Sequence, residues 1–306
     1  MEAILMKKIA IALLGLILLT GAAWAQDDEK TPPEGWQISA DLSLNLTQNA
    51  YSDNWTGGEA GSVSWTTLAN ITAENQLSPK FNWLNTGKFG FGQTHTQNTE
   101  TDEWEKPEKS TDKIDIESVL KMTLGAILDP YAALRIETQF LDNSIPQKKR
   151  VLNPILLTES AGGSHTFYKK DKDLIVSRVG LAVRQHIDRV VTDMVNYDET
   201  ETETTTDAGL EWVSDAKYTI SKDRLRYEGK LTVFQAFYNS EKDELEGLPN
   251  EDYWKSPDVN WENWIVASIT KYIQVTLYTQ LLYDKEVDKG GRFKETLSMG
   301  VVYKLF

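Results

Sequence analysis

The 306-residue chain reads as all-β: a single up-and-down transmembrane β-barrel of about 12 antiparallel strands, with short periplasmic turns and long extracellular loops. Three observations predict it. Apolar and polar residues alternate over runs of about a dozen residues, twice the usual strand length. The connections between runs alternate in size. The chain also opens on an export segment.

That segment is Met1 to Ala25. Lys7 and Lys8 precede the apolar run Ile9 to Leu19, and Ala23-Trp24-Ala25 supplies the small residues of a cleavage site before Gln26. It is too short and wrongly flanked for a transmembrane helix, and no later stretch has the eighteen or so apolar residues that one needs. The expectation is a signal peptide over 1–25, a periplasmic segment over 26–35 and a barrel over 36–306. With no cysteine, a lipoprotein anchor and disulfides are excluded. The 46 acids against 32 bases give a net charge of −14, which argues against nucleic acid or anionic lipid as a partner.

From Trp36 onward, the period-two pattern predicts strands at 36–48, 61–74, 81–96, 111–127, 131–141, 153–168, 173–187, 207–219, 225–238, 259–270, 272–284 and 293–306. Long polar loops at 49–60, 97–110, 142–152, 188–206, 239–258 and 285–292 interleave with short turns. Short turns on one side, long loops on the other and an even strand number are the plan of an outer-membrane barrel. In the first strand Ile38, Ala40, Leu42, Leu44 and Leu46 oppose Ser39, Asp41, Ser43, Asn45 and Thr47. The last runs from Phe293 and ends on an aromatic, Phe306, as such barrels commonly do. A soluble periplasmic β-protein would also alternate; strand length, aromatics near strand ends and export favour the membrane.

Asn54-Trp55-Thr56-Gly57-Gly58-Glu59, followed by Ser62-Val63-Ser64-Trp65, resembles the NW-x-GG signature of a domain-of-unknown-function family of predicted gram-negative outer-membrane proteins. The C-terminal runs Asn260-Trp261-Glu262, Ile269 to Ile273, Thr279 to Asp284, Phe293-Lys294-Glu295 and Gly300 to Lys304 are similar to that family too. The resemblance implies an outer-membrane barrel and brings no activity, cofactor or catalytic residue. Asn54, Trp55, Gly57 and Gly58 form its motif loop.

Parity turns many charges inward, among them Glu74, Lys88, Asp115, Lys217, Glu262 and Lys294. The candidate lumen-lining set is Glu117, Lys121, Arg135, Glu137, Arg178, Arg184, Arg226, Glu228 and Lys230. Toward lipid each base would cost about 2–4 kcal/mol at the midplane, so the lumen must hold them. Twelve strands about 4.8 Å apart and tilted about 40° give a backbone diameter of about 24 Å, which long side chains narrow or fill. Small or polar inward residues that do not fill space, such as Ser39, Ser43, Gly90 and Gly92, favour a narrow channel or transport protein for small polar or charged solutes; the alternative is a structural or surface-binding barrel with an ion-paired, plugged lumen. The expected acid–base partners lie between the fourth and fifth strands, where Glu117 and Lys121 face Arg135 and Glu137.

Other constellations are weaker. Asp198 to Asp207 is an acidic loop without a calcium-loop glycine turn. Tyr51, Trp55, Trp65, Trp261 and Trp264 could stack on a sugar or serve as an aromatic girdle. His95 has outward parity and Ser62 and Ser64 inward, so a lipase pair would need a bulge; three scattered histidines offer no zinc spacing. No enzyme activity, metal or cofactor is expected. The expected partners are outer-membrane lipid and lipopolysaccharide, the barrel-assembly machinery and small solutes.

Overall fold

In the computed structural model, which describes residues 35–51, 60–101, 103–125, 127–221 and 224–304, the alternating runs become strands. They are β1 (Trp36–Asn49), β2 (Ser62–Ser78), β3 (Phe81–Thr96), β4 (Glu108–Met122), β5 (Asp129–Thr138), β6 (Leu141–Asp142), β7 (Arg150–Val151), β8 (Ile155–Lys170), β9 (Asp173–Val191), β10 (Thr200–Ser221), β11 (Leu225–Asn239), β12 (Asp258–Ser268), β13 (Ile273–Asp284) and β14 (Asp288–Lys304). Twelve of them close into a barrel in the order β1-β14-β13-β12-β11-β10-β9-β8-β5-β4-β3-β2, each antiparallel to its neighbours. β6 and β7 form a separate two-stranded ribbon within the connection from β5 to β8.

Period-two patterning works inside out here. On β1 the apolar residues Leu42, Leu44 and Leu46 are 42%, 52% and 61% exposed. On β4 the charged residues Asp115 and Glu117 are buried, while Ile116 between them is exposed. The outer face thus carries the apolar side chains and the interior the polar ones, the reverse of a soluble sandwich. Some carboxylates among the described residues break the rule, Asp112 by its register with outward Phe91 among them. Glu159 shares the outward parity of Leu134 and Val183, its partners on the flanking strands, and Glu295 shares that of Leu297.

The structure corrects three connections. The acidic stretch is not a loop from 198: Thr200 to Thr206 extend β10 and pair with Val191 to Gln185 on β9. Alternating β-branched threonine prefers extended backbone, and Thr202 stands opposite Arg189. The connection expected over 285–292 shrinks to Lys285–Val287, because Asp284 pairs with Asp288 and Leu282 with Arg292. Asp284 Oδ1 holds this tight turn by accepting the Glu286 backbone N–H at 2.9 Å. In the other direction, β4 ends at Met122, and the short turn expected at 128–130 covers 123–128. The export segment and Phe306 lie outside the described residues.

Candidate functional site: the charged lumen

Register places Glu117 directly opposite Arg135, and Asp115 opposite Glu137. Arg135 nonetheless takes its diagonal neighbour. Its Nε and Nη2 donate to the two oxygens of Asp115, both at 2.9 Å, and Nη2 also lies 2.9 Å from Glu137 Oε1. This bidentate grip is the geometry a guanidinium is built for.

Glu117 is left to look across the lumen. Its Oε2 accepts from Lys230 Nζ at 2.7 Å, and Oε1 pairs with Arg178. β4 and β11 are separated along the wall by β5, β8, β9 and β10, and β4 and β9 by β5 and β8, so these are contacts through the interior. A second crossing runs from Lys113 on β4 to Glu262 on β12, Nζ to Oε1 at 2.8 Å, and the Tyr278 hydroxyl donates to the same oxygen at 2.9 Å. Lys88 on β3 sits 4.3 Å from the ring centre of Trp264 on β12. Asp115, Glu117, Arg135, Arg178, Lys230 and Glu262 are all buried, Glu262 to 1% exposure. Carboxylates and cations pair with one another through this layer, as buried charges must, although Arg178 Nε has no hydrogen-bond partner among the described residues.

Toward the loop end a different closure appears. The connection from β11 to β12 carries a short 3₁₀ turn, Tyr253–Lys255, whose Trp254 is buried against Ala182, Phe234 and Ala236, with Leu245 beside them. The last three barrel residues have inward parity, so the loop folds into the mouth. On the loop side of Ala182, Arg184 stacks 3.8 Å from the Phe234 ring centre and reaches Asp258 at 3.1 Å.

The loops are held by polar corners. Asn153, 1% exposed, donates to Asp142 at 2.9 Å and Asp188 at 2.7 Å, and Arg150 meets Asp142 at 2.6 Å. Burial raises the Asp142 pKa, but the Ser144 N–H, the Asn153 amide and Arg150 outweigh it and hold the carboxyl below its ordinary value. Glu286 goes the other way: burial, then Asp207, Asp284, Asp258 and Glu241, push it up to about 7.

Of the nine charged residues expected in the lumen, Glu117, Arg135, Arg178 and Lys230 come together with Glu137 at the edge. Arg184 forms its own pair nearer the mouth, and Arg226 and Glu228 pair at 2.8 Å along one strand, both more than a third exposed. Lys121 makes no ion pair with the described residues. The expected pairing across β4 and β5 forms, but as Arg135 with Asp115 rather than with Glu117.

Lys113 was missed by sequence reasoning, although its parity with Asp115 was the signal that could have found it. The motif loop Asn54, Trp55, Gly57 and Gly58 lies outside the described residues. Trp261 and Trp264 stand on opposite faces and cannot form one sugar platform; Trp65 packs outside against Phe91 at 5.9 Å. His95 pairs with Val63 on the outward register, whereas Ser64 bonds Thr94 inside at 2.8 Å. Among the described residues, no group of three or more acids and histidines is arranged to hold a metal.

A family profile described as "Protein of unknown function (DUF3078)" matches residues 46–143, a span that includes the Asn54-Trp55 motif. A search of curated proteins finds no match. Among solved structures, the chain is similar to the COG4313 outer membrane channel from Pseudomonas putida F1, at 11% identity over 92% of this chain and 99% of that one, with a TM-score of 0.39. It is similar to the translocator domain of the autotransporter NalP from Neisseria meningitidis at 9% identity, 97% and 94% coverage and a TM-score of 0.38. The corresponding values for OprB from Pseudomonas putida are 10%, 88%, 94% and 0.29. At TM-scores this low, the likeness says nothing of residue roles or activity.

Proposed function

We propose that the chain is an integral outer-membrane barrel whose lumen is sealed by ion pairs, and that it acts as a structural or surface-binding protein rather than by conducting solute. The membrane reading rests on the inverted faces: exposed leucines outside, buried Arg, Lys and Glu inside. The sealed reading rests on one observation above all, the crossing from Glu117 to Lys230 and Arg178. A conducting pore keeps water between its walls, and these walls touch. Outer-membrane lipid and lipopolysaccharide are then its surroundings, and the barrel-assembly machinery its route there. No catalytic residue, metal or cofactor is proposed.

The test is a planar-bilayer recording on protein whose folding is first verified by different gel mobility before and after boiling. Wild-type protein should pass no current, and Arg135→Ala should lower thermal stability without opening a conductance. Current steps in wild-type protein whose ion selectivity moves on Arg135→Ala would instead establish the narrow-channel reading. Recovery of the native protein in the soluble periplasmic fraction would remove both and leave a soluble β-protein.

A further inference from the structure

The wall is unevenly zipped where its first and last strands meet. β1 and β14 pair from Asp41↔Lys304 to Asn45↔Gly300. From Met299 back to Asp288, β14 is laddered to β13 through most of its length and has no partner on its other edge among the described residues. The point of divergence is a close approach: a Cβ at Gly300 would overlap the Asn45 side chain and the Leu44 carbonyl.

β1 is too short to cover this edge. It ends at Asn49, so extending the register would cover Met299 to Thr296 and leave Asp288 to Glu295 without a partner among the described residues. Side chains on both faces of this half-strand are exposed. Phe293, Leu297 and Met299 point outward at 65%, 70% and 64% exposure, while Lys294 and Thr296 have the inward parity and are exposed as well. Lower on the same strand, where β1 is in place, inward Val302 is buried.

An open sheet edge beside hydrocarbon leaves backbone N–H and C=O groups that lipid cannot satisfy, but an added strand can. Charge favours one kind of strand. Arg292 and Lys294 share the inward parity and form no ion pair with the described residues. We propose that the free edge of β14 is a docking surface for an extended segment of a partner polypeptide. The segment lies antiparallel to β14, its apolar side chains continuing the outer face and acidic ones meeting Arg292 and Lys294. The proposal goes beyond the reading of the lumen and is independent of whether that lumen conducts.

The absence of cysteine makes disulfide trapping clean. The full chain carrying Thr296→Cys, folded into phospholipid vesicles, is mixed with a synthetic twelve-residue peptide of alternating Val and Glu. One cysteine is placed in turn at each glutamate position. The expected result is trapping at least ten-fold above that of the same peptide with Lys for Glu or with alternate prolines, which cannot complete a ladder. No trapping is expected at Thr276→Cys, on the interior strand β13. Ser298→Cys serves as a second edge variant should Thr296→Cys misfold.

Absence of trapping, or equal trapping of all three peptides, overturns the proposal. An efficient internal disulfide in Thr47→Cys/Ser298→Cys overturns it as well, because the wall would then close on its own β1. Disulfide-linked dimers of Thr296→Cys in dilute vesicles without peptide would assign the edge to a second copy instead and overturn the partner.

Discussion

The ionic layer and the lid above it both obstruct the lumen, but they are made of opposite materials and anchored in opposite ways. Glu117, Lys230 and Arg178 project from strands on different sides of the wall, so their positions are fixed by the barrel itself. Trp254 comes from a loop and is fixed by the apolar contacts it makes with Ala182, Phe234 and Ala236. Removing one member of the first closure strands charges in a low-dielectric interior, whereas removing the second costs buried apolar area and leaves the strands in place. The comparison assigns stability of the whole barrel to the ionic layer and access to the mouth to the lid.

The largest expected effect is therefore Glu117→Gln. It leaves Lys230 and Arg178 without their carboxylate, and we expect a loss of about 3–5 kcal/mol, measured as a lower temperature for the boiled-to-unboiled gel transition. Glu117→Gln combined with Lys230→Met should recover part of it, because a hydrophobic isostere removes the uncompensated charge. Additive losses would show that the two residues do not act as a pair.

Trp254→Ala comes next. A truncation of this kind costs about 3–5 kcal/mol, and here it is felt as a local opening at the lower end of that range. Backbone amides of 240–257 should exchange faster with deuterium, while those of β9 and β10 do not change. If the strands loosen with the loop, the lid is structural and the contrast fails.

A smaller, pH-dependent effect is expected at the Lys285–Val287 turn. The Glu286 carboxyl is raised from 4.5 to about 7, so the folded turn holds its proton more tightly than the unfolded chain. Stability from this group is full below 4.5 and is lost as pH rises through about 7. The protection of turn amides, after correction for their base-catalysed intrinsic exchange, should fall between pH 5 and pH 8, and Glu286→Gln should remove that fall. Asp142 has the opposite sign. Its lowered value means that its loop corner stays intact above pH 3.8 and loosens only as pH falls further.

The smallest effect is expected for Arg226→Ala. Its pair with Glu228 is more than a third exposed on both sides, and such pairs contribute about 0–1 kcal/mol. A loss matching that of Glu117→Gln would mean that exposure along the lumen does not grade the ion pairs at all.

Parity explains why one closure could be read in advance and the other could not. A strand residue's face follows from counting by two, so Glu117, Arg135, Arg178 and Lys230 could be turned inward from the sequence alone. Which acid meets which base could not. Arg135 chose Asp115 over its direct opposite because a bidentate diagonal fits the fork, and Lys230 lies across a gap whose width depends on the closed ring.

Trp254 carries no strand period, and its burial depends on how an eighteen-residue connection, 240–257, folds back. The threonine–glutamate stretch that opens β10 did carry the signal: Thr200 to Thr204 alternates strictly with acids, and that alternation was a strand pattern. High charge masked it, since cross-strand partners such as Arg189 lie outside the stretch. The divergence of β14 from β1 has no local signature, because Lys294 and Thr296 look like any other inward pair until the neighbouring strand is known to end.

The ionic layer also joins distant parts of the chain in time as well as in space. Glu117 waits for Lys230, 113 residues later, and Lys113 for Glu262, 149 residues later. Strand pairs next to each other in sequence can form early, but these contacts need nearly the whole ring to be present. A partly inserted barrel lacking β11 and β12 leaves Glu117 with Arg178 alone and Lys113 with Asp115 alone, and is accordingly less stable than its strand count suggests. The same charges that seal the finished protein thus mark the unfinished one as incomplete, and a truncation before β11 should be degraded rather than accumulate as a smaller barrel.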